Sequence, residues 1–304
     1  MRLAVDGLTA GALYALVALG YTLVYGVLRL VNLAHGEVFM LGAFGGLYAA
    51  RAALPGGPGA PTALASAGLV MAGIAAGGAA GALAALALER VACRPLRHRD
   101  APTIAYLVSA AGAATFATSL AGKEFGRRDV PVPGLFSEDA VLSVAGVDVS
   151  VETLVVIAAS SILVLAVDRL VAWTRLGRSI RAVAQDPDCA ALLGVRVDRV
   201  VVAAFVLGGV VAGVGGFLYA MTFHASYTMG LLPGVKAFTA ALIGGLGNIR
   251  GALTGGLLLG LAESFGGYYV LGTSYQDLVA FALLLGVLVL RPSGLPGRRI
   301  GRLA

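Results

Sequence analysis

Apolar runs close to 20 residues long recur along the whole chain, and nothing constrains the fold more. They fall near 7–28, 36–54, 62–88, 103–121, 151–172, 200–221, 236–247, 251–271 and 275–290. Runs of this length match the helix needed to cross a hydrocarbon core about 30 Å thick. The 304 residues are 59% hydrophobic and only 12% charged, about half the charge of a soluble domain. Mean hydropathy is +0.90. These features imply an all-α, polytopic membrane helix bundle of about eight transmembrane segments, forming a single domain over 1–304. The first run is long for a signal peptide, has only Arg2 ahead of it and is followed by further spans, so it reads as a helix. Cys93 and Cys189 match no disulfide framework or metal-ligand spacing. The net charge of +6 reports loop location rather than nucleic-acid binding.

Basic residues orient the bundle. Thirteen of the 22 lysines and arginines lie in three places: Arg90, Arg94, Arg97 and Arg99; Arg175, Arg178, Arg181, Arg196 and Arg199; and Arg291, Arg298, Arg299 and Arg302. The positive-inside rule places these loops in the cytoplasm. The loop 122–150, counted through Glu152, sets Lys123, Arg127 and Arg128 against six acids and is expected to be periplasmic. The C-terminus then returns inside only if 236–271 makes no net crossing. Its first apolar part is about 12 residues, roughly 18 Å of helix, and Gly244, Gly245 and Gly247 with Asn248 break it. A re-entrant hairpin is expected there, since irregular backbone survives at membrane depth only inside protein or beside a wet cavity. Two tight spans give the same parity. Glycines four apart, as at Gly73, Gly77 and Gly81 or Gly209 and Gly213, let helix backbones approach closely.

Two polar stretches stand out. In RLGRSIRAVAQDPDCAALLGVRVDRV (175–200), within a cytoplasmic loop 174–199, a helical start meets Asp186, a good N-cap, and Pro187 at the first helical position. Gly194 stands where a C′ glycine would end a helix of about seven residues. That helix offers Ala190, Leu192 and Leu193 to a partner and is too short to persist alone. A solvated connector is the alternative. In VNLAHGEVFMLGAFGG (31–46), Asn32, His35 and Glu37 interrupt two apolar segments, at the cytoplasmic end of the first two spans. Either Asn32 caps a tight turn that Gly36 relaxes, or the polar groups gate a translocation path. Glu263 poses the same question: it faces the hairpin cavity, or hydrogen-bonds Ser264 or a tyrosine. His98 and His224 fall in loops.

GLTAGALYALVALGYTLVYGVLRLVNLAHGE resembles the N-terminal signature of the inner-membrane permeases of branched-chain amino acid ABC importers. The likeness continues through ERVACRPLR, GRRDVPVPGLF, the 175–200 stretch, VKAFTAALIGGLGNIRGALTGGLLLGLAE and YQDLVAFALLLGVLVLRPSGLPGR. It covers nearly the whole chain and is nearer the shorter permease type. The resemblance implies a multi-pass inner-membrane subunit that is not an enzyme. It implies a second homologous permease, two ATP-binding-cassette ATPase subunits and a periplasmic or lipid-anchored solute-binding protein as partners. ATP and Mg would sit on the partners, with no cofactor or metal on this chain. No G-x-x-x-x-G-K-[ST] occurs, so no P-loop cradles phosphates here. The matching ATPase-coupling positions are Gly177, Arg178, Ala184, Asp186, Ala190, Leu193 and Gly194. The departure is Gln185–Asp186–Pro187, where relatives carry an acidic pair followed by a non-proline residue. Asn32, His35, Glu37, Gly244, Gly245, Gly247 and Glu263 are the candidate path or gate residues.

Urea or short amides are alternative cargo on the same scaffold. A proton-coupled carrier using His35, Glu37 and Glu263 is a rival from another class, but such carriers repeat their broken helices in both halves and only one Gly-broken region is present. A channel gives the capped helix no task. An enzyme would need a nucleophile, base and orienting group together, and none are.

Overall fold

A computed structural model describes residues 2–54, 62–132, 136, 141–144, 147–272 and 275–290. The C-terminal arginine cluster at 291–302 lies outside the described residues. The long helices are α1 (Arg2–Leu28), α2 (His35–Ala53), α3 (Ala63–Leu88), α5 (Thr103–Glu124), α6 (Val151–Trp173) and α9 (Val197–Phe223). Shorter ones are α4 (Arg94–Arg97), α7 (Arg175–Gln185), α8 (Pro187–Leu192), α10 (Leu231–Gly244), α11 (Ile249–Gly266) and α12 (Gln276–Leu290).

Five helices are long and apolar enough to cross a membrane: α1, the rod Leu64–Arg97, α5, α6 and α9. The pair α10 and α11, bent by 119° across a short break, makes a sixth candidate. The expected count of eight is not reached on this basis. At 15 residues, α12 spans about 22 Å, and α2 carries His35, Glu37 and Arg51 within 19 residues. The loop after α5 is not wholly irregular. It holds an antiparallel hairpin of β1 (Val141–Val144) and β2 (Val147–Ser150), with Val141 opposite Ser150.

The loop expected at 89–99 is largely helical. The chain leaves α3 through a π-helical turn, Glu89–Cys93, into α4. Cys93 is buried there. Arg97 holds the buried Glu89 at 3.0 Å and Asp198 at 2.9 Å, tying this rod to the start of α9. His98 is exposed and 4.0 Å from Asp198.

α1 forms the axis of the bundle and is buried along most of its length. It packs on α11 where Gly7 and Gly11 meet Gly256 and Gly260, and α9 packs on α3 where Gly209 and Gly213 meet Gly77 and Gly81. In these seams the Cα of one helix rests on the backbone of the next, so a methyl group would collide. This is the association mode open to helices once lipid has removed the hydrophobic drive.

Candidate functional site

Local chemistry builds the α7–α8 element. Thr174 caps α7, its hydroxyl accepting from the Gly177 amide at 3.1 Å. Gly177 is buried with its Cα against the Val171 backbone. Arg178 is exposed. Arg181 donates to the carbonyls of Val171 and Ala172 and so returns α7 to the end of α6. Asp186 then caps α8, its Oδ1 accepting from the amides of Asp188 and Cys189, both at 2.9 Å. The Cys189 amide holds the Asp186 carboxyl below its ordinary range, and the carboxylate in turn pushes the Cys189 thiol up. At the other end Gly194 takes φ +84°. Its amide bonds Ala191 O while that of Val195 bonds Ala190 O, the paired closure of a Schellman motif. The helix has six residues. Of the three side chains expected to face a partner, Ala190 turns inward at 2% exposure, while Leu192 and Leu193 stand out at 88% and 83%.

The Asn32–Glu37 stretch joins α1 to the start of α2. The chain leaves α1 at Arg29, with φ +56°, and the Arg29 guanidinium donates to Ala184 O on α7 at 2.7 Å. It then folds back into the bundle before α2 starts. His35 packs on Tyr21 with ring centroids 4.6 Å apart, its Nε2 against the Cα of Gly20. Gly20 precedes the end of α1 by eight residues, about 12 Å of helix. The polar cluster therefore stands at the start of α2, deeper than the end of α1. All three side chains are buried: His35 is 1%, Glu37 7% and Asn32 8% exposed. Asn32 does not cap a helix. Its Oδ1 accepts from the Ala34 amide at 3.2 Å, and α2 starts after Ala34 without a side-chain cap. Nor does Gly36 relax a turn; it is helical, and its missing Cβ makes room for the Gly230 carbonyl.

That contact brings the start of α10 against the start of α2 at the same depth. The Glu37 carboxylate rests on Gly230, where an added Cβ would stand 2.7–2.8 Å from its oxygens. The Thr118 hydroxyl on α5 donates to the Ala114 carbonyl at 3.0 Å, and Oε2 of Glu37, Nδ2 of Asn32 and Nε2 of His35 are buried without partners. Two cavities flank Glu37. One, of about 240 Å³, is walled by apolar groups of α2, α3 and α5, among them Val38, Leu41, Leu88 and Phe116. The other, of about 280 Å³, lies towards α10 and is lined by Tyr21, Thr115, Gly230, Leu231 and Phe238.

The glycine break is as expected. α10 ends at Gly244, Gly245 and Gly247 take φ +83° and +89°, and α11 starts after Asn248. The two arms touch backbone to backbone at Gly244 and Gly251. A third cavity, of about 330 Å³, joins this break to α7 and is lined by Thr22, Asp168, Arg181, Ala184, Asn248 and Arg250. Glu263, near the far end of α11, does not bind Ser264, whose hydroxyl donates to the Leu3 carbonyl at 2.7 Å. Its partner is Lys236 of α10, which also reaches Asp277 of α12 at 2.6 Å and the Tyr14 hydroxyl at 3.4 Å. Sequence reasoning missed Lys236. The available signal was a lysine within an apolar run, itself rare inside a membrane.

Comparison with known proteins agrees with this architecture. Residues 3–288 match the family model described as branched-chain amino acid transport system / permease component. The chain is 38% identical over 297 residues to the high-affinity branched-chain amino acid transport system permease protein LivH of Escherichia coli K12, covering 96% of this chain and 94% of that protein. It is 36% identical over 304 residues to BraD, the corresponding permease protein of Pseudomonas aeruginosa, covering 97% and 94%. A shorter likeness, 32% over 124 residues, joins it to the fructose import permease protein FrcC of Rhizobium meliloti, covering 38% and 33%. No solved structure matches. The near full-length matches show that this chain belongs to the family of branched-chain amino acid transport permeases, multi-pass proteins of the inner membrane.

Proposed function

We propose that the chain is the transmembrane subunit of an ATP-binding-cassette importer and forms the path for branched-chain amino acids delivered by a solute-binding protein. A second homologous permease, two ATPase subunits and a periplasmic or lipid-anchored binding protein complete the assembly, with ATP and Mg held by the ATPases. The observation that carries this reading is the α7–α8 element. A six-residue helix closed by a cap at each end cannot persist by propensity alone, yet it holds two adjacent leucines in the open. Such a pair suits the groove of a partner protein. On this reading Gly177, Arg178, Ala184, Asp186, Ala190, Leu193 and Gly194 form the cytoplasmic receiver of the ATPase stroke, with Leu192 beside them. Arg29 and the cavity between α7 and the Gly244–Asn248 break carry the movement inwards. Asn32, His35, Glu37, Gly244, Gly245, Gly247 and Glu263 belong to the path or its gate.

The test is uptake by the complete assembly in proteoliposomes, with leucine, isoleucine, valine, urea and short amides as a panel. Leucine uptake is expected to need ATP and the binding protein and to survive a proton uncoupler. Leu192→Asp with Leu193→Asp is expected to abolish ATPase stimulation by the loaded binding protein. Uptake that collapses with the proton gradient and ignores ATP would leave a secondary carrier.

A further inference from the structure

Glu37 is the feature that the fold explains least. A buried carboxylate with an unpartnered oxygen is costly unless a cation or donor completes it. Among the described residues no lysine or arginine pairs with it. It does not serve as a helix cap, since α10 starts without a side-chain cap bond. Its carboxyl group lines both cavities. On one side the walls are Val38, Leu41, Leu88 and Phe116, with no other charged group. On the other lies the first turn of α10, a 14-residue helix whose N-terminus carries partial positive charge.

We propose that these two chambers and Glu37 form a seat for one aliphatic α-amino acid inside the membrane. Glu37 receives the ammonium group, the chamber between α2, α3 and α5 takes the branched side chain, and the carboxylate faces the N-terminal turn of α10. The three parts of such a molecule are a cation, an anion and a short apolar branch. The site offers an anion, a helix N-terminus and an apolar chamber of about 240 Å³ in matching order. Gly36 sets the spacing, because its contact with the Gly230 carbonyl brings the α10 turn beside the carboxylate. The seat rests on the reading of the chain as an amino-acid permease and adds where the cargo pauses and which group recognises it.

The test uses the complete importer in proteoliposomes and L-photo-leucine, which carries a diazirine on its aliphatic side chain. Irradiation during turnover is expected to place adducts on the α2, α3 and α5 walls. Excess L-leucine should suppress them, and 4-methylpentanoate, which lacks the ammonium group, should not. Glu37→Gln should lower both adducts and leucine uptake roughly tenfold or more, the scale of a lost charged hydrogen bond, and Glu37→Asp should restore part of each. Adducts elsewhere, or equal labelling in Glu37→Gln, would overturn the seat. So would a diazirine fatty acid labelling these walls where photo-leucine does not, which would make the chamber a lipid groove. Should Glu37→Gln fail to assemble, Ala117→Phe decides, since it fills the apolar chamber from α5. Leucine uptake should fall while alanine uptake persists, and unchanged leucine uptake would reject the site. Wild-type importer that moves no leucine but moves another solute defeats the amino-acid reading. Leucine import with adducts elsewhere defeats only the seat.

Discussion

The α7–α8 element and the Asn32–Glu37 stretch are both short polar interruptions between apolar helices, yet they are made in opposite ways. Around Asp186 the capping groups find their partners within a few residues: Thr174 with Gly177, Asp186 with Cys189, Gly194 with Ala191. Around His35 and Glu37 the neighbours are Gly20, Tyr21 and Gly230, brought from two other regions of the chain. The first is a locally capped element of about twenty residues, docked on α6 through Gly177 and Arg181, that shows its leucines to solvent. The second exists only in the assembled bundle and buries three polar atoms without partners. Damage should accordingly stay local in one and spread through the protein in the other.

The largest effect is expected where the deep cluster depends on close backbone contact. Gly36→Val would drive a branched side chain into the Gly230 carbonyl, an overpacking cost of about 3 kcal/mol. A lower melting temperature and loss of the assembled permease in detergent should report it. Normal melting would mean that α10 moves aside freely. Gly194→Val, by contrast, strains one positive-φ residue by about 1–2 kcal/mol. It is expected to leave insertion and melting nearly unchanged while abolishing ATPase stimulation. Global unfolding by that variant would erase the distinction drawn between the two regions.

Asp186 refines it further. Asp186→Ala should loosen α8 and weaken stimulation, while Asp186→Asn caps as well and should keep it. Because the folded carboxyl titrates below its ordinary range, its capping contribution is complete above the unfolded value. It is lost as pH falls through the folded one. Coupling in wild type should therefore weaken on acidification, and Asp186→Asn should flatten that acid limb. The smallest perturbation is chemical. Maleimide should label exposed Cys189 from the α7–α8 side and spare buried Cys93; equal labelling would mean that the Glu89–Cys93 turn opens.

How far each region could be read from sequence follows from the same contrast. Asp186, Pro187 and Gly194 announce a helix because capping is contact within one turn, and the structure adds only that Ala190 faces inward. The Gly244–Asn248 break was legible for the same reason, since positive-φ glycines act on their own backbone. The apolar runs announced the helical bundle, while five long apolar helices and one bent pair are the spans that length and apolarity identify among the described residues. The depth of His35 was illegible. It depends on a chain reversal at Arg29, a non-glycine residue with positive φ, and on the space that Gly20 leaves for the ring. Lys236, Glu263 and Asp277 come together from three helices, a meeting that no local spacing encodes.

The seam between α1 and α11 has a consequence for how the protein is made. Gly7 and Gly11 rest on Gly256 and Gly260, so α1 is covered by a helix that is synthesised long after it. At 5–20 residues per second, the intervening chain takes roughly 12–50 s to appear. Throughout that interval α1 stands in the bilayer with its glycine-lined face turned to lipid or to provisional neighbours. The bundle cannot close in the order in which its helices are synthesised. Its closing step is the arrival of the α10–α11 hairpin, and a chain truncated before that hairpin should be a substrate for membrane quality-control proteases however well its earlier helices insert.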